Sequence, residues 1–192
     1  MYHIKSDKRS RTSAEEIAAG LNRILKTEPL HTVTVTRIHQ ETGISRATFY
    51  RLFDTVEDVL IYQCDQLVDR AMDNYSIDHV SSPYESIRGI MAMGFEYHAL
   101  IEALVANKRM DLIYEYTARR LFTHQTIGPF LRPDMDEAAV EYFLSNISMA
   151  MVATLTTWTR RGRQESPEEV LHNNMHYWRF IRDLLENQTS RL

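Results

Sequence analysis

Apolar residues recur at three- and four-residue spacings along almost the whole chain. This spacing predicts helices, because such positions share one face of a helix with about 3.6 residues per turn. The stretch HTVTVT, residues 31–36, is the one run that alternates β-branched residues as a strand would. A single run of this kind has no second strand with which to build a sheet. The pattern therefore predicts an all-α protein.

Three short helices are predicted near the start of the chain. Each is preceded by a residue whose side-chain oxygen can accept a hydrogen bond from the first turn. The first helix is expected from about Ala14 to Lys26, where Ser13 and Glu16 have the spacing of a capping box. The second is expected to run through Glu41 until Gly43 stops it. The three N-cap residues are Ser13, Thr34 and Ser45.

The third of these helices, in the stretch GISRATFYRLF at residues 43–53, has two unlike faces. The apolar face holds Phe49, Leu52 and Phe53. The opposite side holds Arg46, Ala47, Tyr50 and Arg51. A helix, a short turn and a second helix that presents small and cationic side chains form a helix-turn-helix, whose second helix enters the major groove of DNA. The alternative is an ordinary amphipathic helix with a solvated basic face.

The residue types on the exposed face suit DNA recognition. A small side chain at Ala47 allows close approach to the bases, and the guanidinium of Arg46 can make a bidentate contact to guanine. Thr48, Tyr50 and Arg51 can reach phosphate oxygens. The third helix is therefore the expected recognition helix.

The stretch TVTRIHQETGISRATFYRLFDTVEDVL, residues 34–60, resembles the DNA-binding signature of the TetR family of transcriptional regulators. The stretch WTRRGRQESPEEVL, residues 158–171, is similar to the approach to the last helix in many members. The resemblance implies an N-terminal three-helix DNA-binding head at residues 1–54, with a basic arm at 1–12, and a helical ligand-binding and dimerisation domain at 55–192. It implies that DNA is contacted by Thr34, Thr36, Arg37, Ser45, Arg46, Ala47, Thr48, Tyr50 and Arg51.

Three positions depart from the family pattern. His39 stands where the family has a small alanine, so its side chain must lie partly exposed or find a hydrogen-bond partner. Leu52 and Val56 stand where the family often has residues that touch phosphate, so two backbone contacts are lost. Arg37, Arg51 and the basic residues of the arm are expected to supply the missing charge.

The charge distribution separates the two ends of the chain. Residues 1–51 carry nine Lys and Arg against five Asp and Glu, a balance of +4, whereas the whole chain has a net charge of −4. The remainder therefore carries −8. A basic head fits a polyanionic partner, here double-stranded DNA. The single cysteine, Cys64, fits a reducing compartment, and no leader or long apolar run is seen, so a cytoplasmic protein with no membrane association is expected.

Beyond the head, a fourth helix is expected from Thr55, with Asp58 completing a capping box, to about Asn74. Further helices are expected near 83–106, 108–123, 124–131, 135–162 and 167–187. The last two are broadly apolar and usually need more than one partner surface. The resemblance to the TetR family implies that they pair with their copies in a four-helix bundle, which forms a homodimer; a palindromic DNA site also requires a dimer. The alternative is an internal helix pair in a monomer.

Polar residues within apolar helical stretches indicate where a small-molecule effector could bind. Buried polar groups must be hydrogen-bonded, either to each other or to a ligand. The alternative for His98 and Glu102, which lie one turn apart, is a simple pair. The expected ligand-binding residues are His98, Glu102, Tyr114, Phe143, Asn146 and Met149.

No catalytic, cofactor or metal-binding motif stands out. His172 and His176 lie one turn apart, but no further ligand accompanies them, which favours surface or interface histidines over a metal site. Cys64 has no identifiable histidine partner. The sequence thus predicts no enzyme activity. It predicts a ligand-responsive repressor that binds a palindromic operator as a homodimer; the alternatives are a helical interaction or scaffold protein, or an enzyme, without DNA binding.

Overall fold

A computed structural model of the protein describes residues 1–75, 83–123 and 135–189. Helices dominate these residues, and the only strand-like feature among them is an isolated bridge between Tyr2 and Phe53. The all-α prediction is confirmed. The helix predicted near 124–131 lies outside the described residues. The helices are α1 Lys8–Ile24, α2 Val35–Thr42, α3 Arg46–Leu52, α4 Val56–Tyr75, α5 Pro83–Glu96, α6 His98–Ala106, α7 Asp111–Thr123, α8 Glu137–Arg160 and α9 Pro167–Thr189.

Three of the four predicted N-caps are present, at Thr34, Ser45 and Thr55, where side-chain oxygens satisfy N–H groups that a first helical turn leaves free. Thr55 and Asp58 form a reciprocal pair at the start of α4, with N···O distances of 2.8 and 3.2 Å. Ser166 and Glu169 form a second at the start of α9. Single caps are made by Thr34 on α2 and Ser45 on α3.

The predicted start of α1 was wrong. The helix begins at Lys8 rather than near Ala14, because the Asp7 carboxylate accepts a hydrogen bond of 2.9 Å from the backbone N–H of Ser10. Ser13 therefore lies inside the helix, half-buried. The expected helix at 83–106 is also broken in two, because Tyr97 has a ψ angle of 29° between α5 and α6.

One buried apolar cluster extends from the head, residues 1–54, into the body, residues 55–192. In the head, α1 packs against both α2 and α3, and it also packs against α4 and α6 of the body. The largest buried side chains of the head are Ile17, Leu21, Ile24, Ile38, Phe49, Leu52 and Phe53. Helix α3 is therefore attached to a core that continues into the body.

A turn of the body also holds the head in place. Between α6 and α7, the side-chain oxygen of Asn107 accepts a hydrogen bond of 2.7 Å from the backbone N–H of Leu30, in the connection between α1 and α2. Two residues later, Arg109 forms ion pairs with Glu57 in the first turn of α4 and with Asp111. This turn contacts both the α1–α2 connection and the helix that follows the recognition helix.

Helix α8 leaves much of its apolar surface uncovered in the single chain. Among the described helices it is the one whose length and composition alone would allow it to cross a membrane, with a mean hydropathy of 1.3, yet only 28% of that window is buried. Its C-terminal end is fixed to the core. Trp158 packs edge-on against Phe95 and donates a hydrogen bond of 3.0 Å to the carbonyl of Glu165 in the α8–α9 turn.

Candidate nucleic-acid interface and ligand cavity

The turn between α2 and α3 is closed by two local features. Gly43 ends α2 in the left-handed region, with a φ angle of 73°, where a residue with a Cβ atom is strained. The ring Nδ1–H of His39 donates a hydrogen bond of 2.8 Å to the carbonyl of Ile44. His39 is thus exposed and hydrogen-bonded, so its departure from the family's alanine is accommodated by the turn itself.

Helix α3 is anchored by its apolar side and presents the other side to solvent. Phe49, Leu52 and Phe53 are almost fully buried, and Phe49 lies 5.7 Å from Phe53 between ring centroids. Tyr50, in contrast, is 51% exposed. The exposed residues of α3 are Arg46, Ala47, Tyr50 and Arg51, and Thr48 is half-buried. The two-faced helix predicted from the sequence is confirmed.

The cations of the head fall into two groups. Arg46 and Arg51 are exposed and form no ion pair with any residue in the described part of the chain. Arg37 instead pairs with Glu28 at 2.8 Å and with Glu41 at 3.3 Å. Arg37 was predicted to replace lost phosphate contacts. Its guanidinium is already paired with these two carboxylates, which would compete with a phosphate for it.

The Glu41 carboxylate joins two helices of the head. It accepts a hydrogen bond of 2.7 Å from Arg23 of α1 as well as one from Arg37 of α2. The hydrogen bond from Arg23, followed by that from Arg37, holds the pKa of Glu41 below its ordinary value. These hydrogen bonds hold α2 against α1.

Two of the predicted DNA-contacting residues have a structural role as well. The hydroxyl oxygens of Thr34 and Ser45 each accept a hydrogen bond of 3.1 Å from the first turn of α2 and α3 respectively. Both side chains remain exposed, as does Thr36. Capping leaves the hydroxyl hydrogen of Thr34 free for another partner, whereas the hydroxyl of Ser45 also donates to the hydroxyl oxygen of Thr48 at 3.0 Å.

The first residues of the chain run beside the end of α3. The backbone N–H of His3 donates to the carbonyl of Leu52 at 2.8 Å, and the Tyr2 hydroxyl contacts the carboxylate of Asp65 on α4. Residues 1–12 are therefore not one continuous arm, because residues 2–3 are fixed to the C-terminal end of α3 and α1 starts at Lys8. The cations Lys5, Lys8, Arg9 and Arg11 are exposed.

None of the six residues predicted to bind a ligand lines the cavity between α4, α5, α7 and α8, and their role in ligand binding stays a prediction. His98, Asn146 and Met149 are exposed. Glu102 pairs with Arg163 at 2.6 Å rather than with His98. Tyr114 and Phe143 are half-buried and pack against the core.

A small buried cavity of about 30 Å³ does lie between helices α4, α5, α7 and α8. Sequence reasoning missed it because its lining is apolar and looks like ordinary core. Thr117 is the one lining residue, among those described, whose side chain can form strong hydrogen bonds. The lining residues are Leu67, Val68, Ala71, Met72, Met91, Gly94, Ile113, Thr117, Met151 and Leu155.

The histidine pair on α9 stands apart from any ligand cluster. The rings of His172 and His176 are 5.0 Å apart between centroids and nearly perpendicular. Among the residues that the structure describes, no group of three or more His, Cys, Asp or Glu is arranged to hold a metal ion.

Burial raises the pKa of the Cys64 thiol well above its ordinary value, which disfavours the reactive thiolate.

Solved structures with the same arrangement of helices exist at low sequence identity. The crystal structure of Lin0861 from Listeria innocua matches with a TM-score of 0.72 at 12% identity, over 93% of this chain and 96% of that chain. A TetR transcriptional regulator from Streptococcus agalactiae 2603V matches with a TM-score of 0.58 at 16% identity, over 85% and 91%. The fatty acid degradation regulator FadR from Bacillus halodurans matches with a TM-score of 0.59 at 16% identity, over 88% and 93%.

Sequence comparisons add nothing to these structural matches: no protein-family model and no curated protein matches the chain. The structural matches nevertheless span nearly all of this chain and nearly all of the compared chains. They agree with the signature at residues 34–60 and with the two-faced helix α3. The chain therefore has the TetR-like fold.

Proposed function

We propose that the protein is a DNA-binding transcriptional regulator, a ligand-responsive repressor that acts in the cytoplasm as a homodimer on a palindromic operator. The observation that carries this proposal is the exposed face of α3. Its guanidinium groups at Arg46 and Arg51 are unpaired within the described residues, while its other face is locked into the core. A rigid helix with solvated cations on one side fits insertion into the major groove.

The residues of this face divide by the contact that each can make. Arg46, in the first turn of α3, is the proposed base-contacting residue, since arginine reads guanine through two hydrogen bonds. Ala47 beside it leaves space for close approach. Tyr50 and Arg51 are proposed phosphate contacts, which position the helix without reading sequence.

Threonine and serine hydroxyls complete the proposed contact surface. Thr34, Thr36, Ser45 and Thr48 lie at the N-terminal ends of α2 and α3, where phosphate oxygens can accept hydrogen bonds from them. Arg37 contributes less than the sequence suggested, because its pairs with Glu28 and Glu41 would have to break before it could bind phosphate.

The proposed homodimer forms through α8 and α9. Both helices expose large apolar side chains, which supports a protein partner on this side. Those on α8 are Tyr142 and Met149, and those on α9 are Met175, Tyr177 and Phe180. A second copy of the chain is the proposed occupant, because two recognition helices are needed to read a palindrome. Polar residues such as Glu141 and Asn146 on the exposed side of α8 fit a protein surface better than a lipid one.

The proposed effector site is the cavity between α4, α5, α7 and α8. Helix α4 lines this cavity with Leu67, Val68, Ala71 and Met72. It begins at Val56, four residues after Leu52, the last residue of α3. A ligand that displaces α4 would change the spacing of the two recognition helices. DNA affinity depends on that spacing, since half-sites lie roughly 34 to 36 Å apart.

Selection of bound duplexes from a random pool tests this function. A regulator of this type should enrich an inverted repeat, because a two-fold dimer presents the same helix to each half-site. The Arg46→Ala variant, which keeps the core of α3 intact, is the matched control and should enrich a more degenerate repeat. Recovery of unrelated sequences without symmetry would favour a helical interaction protein that does not read DNA.

A further inference from the structure

The cavity lining restricts the chemistry of any ligand that enters. All the described lining residues are uncharged, and they come from four helices. An isolated charged group moved from water into such surroundings carries a large free-energy penalty, because nothing there replaces its hydration. A carboxylate or an ammonium group is therefore a poor occupant.

One buried hydroxyl group lines the cavity, and a second lies one helical turn from a lining residue. Thr117 lines the cavity and is almost fully buried. Ser148 lies one turn before the lining residue Met151 on the same side of α8 and is completely buried. Its hydroxyl has no hydrogen-bond partner in the described part of the chain. A buried hydroxyl without a partner is costly, so a ligand with one suitable polar group would relieve that cost.

The cavity is much smaller than a typical ligand pocket. A volume of about 30 Å³ holds a water molecule, whereas pockets for drug-sized ligands measure roughly 300 to 1,000 Å³. A ligand must therefore enlarge the space. Three methionines line it, and methionine side chains are flexible enough to change rotamer and make room.

The part of the wall formed by Gly94 and Leu155 has no methionine side chain that could make room. A Cβ atom added to Gly94 of α5 would lie 2.7 Å from Cδ2 of Leu155 on α8, so these two helices are already in close contact. Enlargement is expected instead from the side of Met72, Met91 and Met151. Because Met72 belongs to α4, its movement reaches the helix that follows the recognition helix.

We propose that this cavity binds an uncharged, largely apolar molecule with one hydrogen-bonding group, which contacts Thr117 and Ser148 and opens the cavity by displacing the three methionines. This binding concerns the body alone. Its effect on DNA affinity rests on the proposed function.

The experiment uses the full chain with ¹³C-labelled methionine methyl groups and three small probes: hexanol, its charged counterpart hexanoate, and benzene. Hexanol and benzene should shift the methyl signals of Met72, Met91 and Met151, while the signal of exposed Met149 stays in place. Hexanoate at neutral pH should shift none of the three. Equal binding of hexanol and hexanoate, or shifts confined to other methionines, would overturn the proposal.

Two variants sharpen the test. Thr117→Val keeps the volume and removes the hydroxyl, so it should weaken hexanol binding about fivefold, the value of one neutral hydrogen bond, and leave benzene binding unchanged. Ala71→Leu should fill the cavity and abolish the binding of both probes. The Met149 signal and the thermal unfolding of Ala71→Leu check that this variant folds. An unchanged hexanol affinity in Thr117→Val would rule out a hydrogen bond between Thr117 and the ligand.

A parallel titration of the selected duplex separates this inference from the proposed function. Hexanol binding by a protein with no affinity for DNA would leave the cavity assignment intact and contradict the regulatory function. DNA binding without any cavity signal from hexanol or benzene would contradict the cavity assignment alone.

Discussion

The side-chain oxygen of Asn107 accepts a hydrogen bond of 2.7 Å from the backbone N–H of Leu30, across 77 residues of sequence. The Nδ2 group of the same side chain donates to the carbonyl of Ala103 at 2.8 Å, which fixes the orientation of the amide. The α6–α7 turn of the body thus holds the α1–α2 connection of the head through a side chain that is itself held on both sides.

Removing this side chain should loosen the head from the body. We predict that Asn107→Ala lowers the free energy of unfolding by about 1 to 2 kcal/mol, because the N–H of Leu30 loses its partner. Hydrogen exchange at the Leu30 amide should become faster. Asn107→Asp is the matched control, since it keeps an acceptor oxygen and should protect Leu30 largely as the native residue does. Unchanged exchange in Asn107→Ala would show that the contact does not form in solution.

Two glycines with the same backbone geometry allow stability and DNA binding to be separated. Gly43, in the α2–α3 turn, and Gly162, in the α8–α9 turn, have φ angles of 73° and 75°, and an added Cβ would meet no atom within 4 Å at either place. Alanine at each should cost about 1 kcal/mol of stability through backbone strain alone. Only Gly43→Ala should also weaken DNA binding, because it alters the helix-turn-helix. Equal loss of DNA affinity in both variants, measured by anisotropy, would count against that assignment.

The carboxylate of Glu41 should make the stability of the head depend on acid pH. Its pKa is lowered from the ordinary value of 4.5 by hydrogen bonds from Arg23 and then Arg37. Stability from a lowered pKa is complete above the unfolded pKa and is lost as the pH falls through the folded pKa. Wild-type protein should therefore be more stable than Glu41→Gln at neutral pH, and the two should converge in acid. A difference that persists unchanged at pH 2 in urea unfolding would refute the linkage.

The proposed dimer can be tested on α9. Phe180 is 60% exposed in the single chain, and Phe180→Glu should place a charge inside the interface and yield monomers in sedimentation experiments. Tyr50→Glu makes a similar aromatic-to-acid change on the head and should leave the dimer intact. A dimeric Phe180→Glu protein would move the interface elsewhere.

Local signals in the sequence were sufficient for the bounds of α2 and α3. Thr34, Ser45 and Gly43 act through neighbours within a few residues, so a short stretch of sequence contains all the information on where α2 and α3 begin and end. The start of α1 was missed because Asp7 and Ser13 are competing caps, and nothing between them breaks a helix. The break at Tyr97 has no glycine or proline to reveal it.

The effector site could not be inferred in the same way, because it depends on tertiary contacts. Glu102 looked like a buried polar group until its partner Arg163, 61 residues away, was known. The apolar cavity residues gave no signal, since a helix face that lines a cavity has the same periodicity as one that is fully packed. Arg37 likewise resembles a free cation in the sequence. Its pair with Glu41 follows from their i,i+4 spacing within α2, but its pair with Glu28 depends on how the α1–α2 connection packs against α2.

Anisotropy titrations of the selected duplex and a scrambled duplex at several salt concentrations test most directly whether α3 binds DNA. The logarithm of the binding constant should fall steeply with the logarithm of salt concentration, because neutralised phosphates release counterions. Arg46→Ala should lose about 1 to 3 kcal/mol of preference at one base position of each half-site, and Tyr50→Phe should weaken both duplexes alike. A flat salt response with equal, weak affinity for the two duplexes would contradict the account.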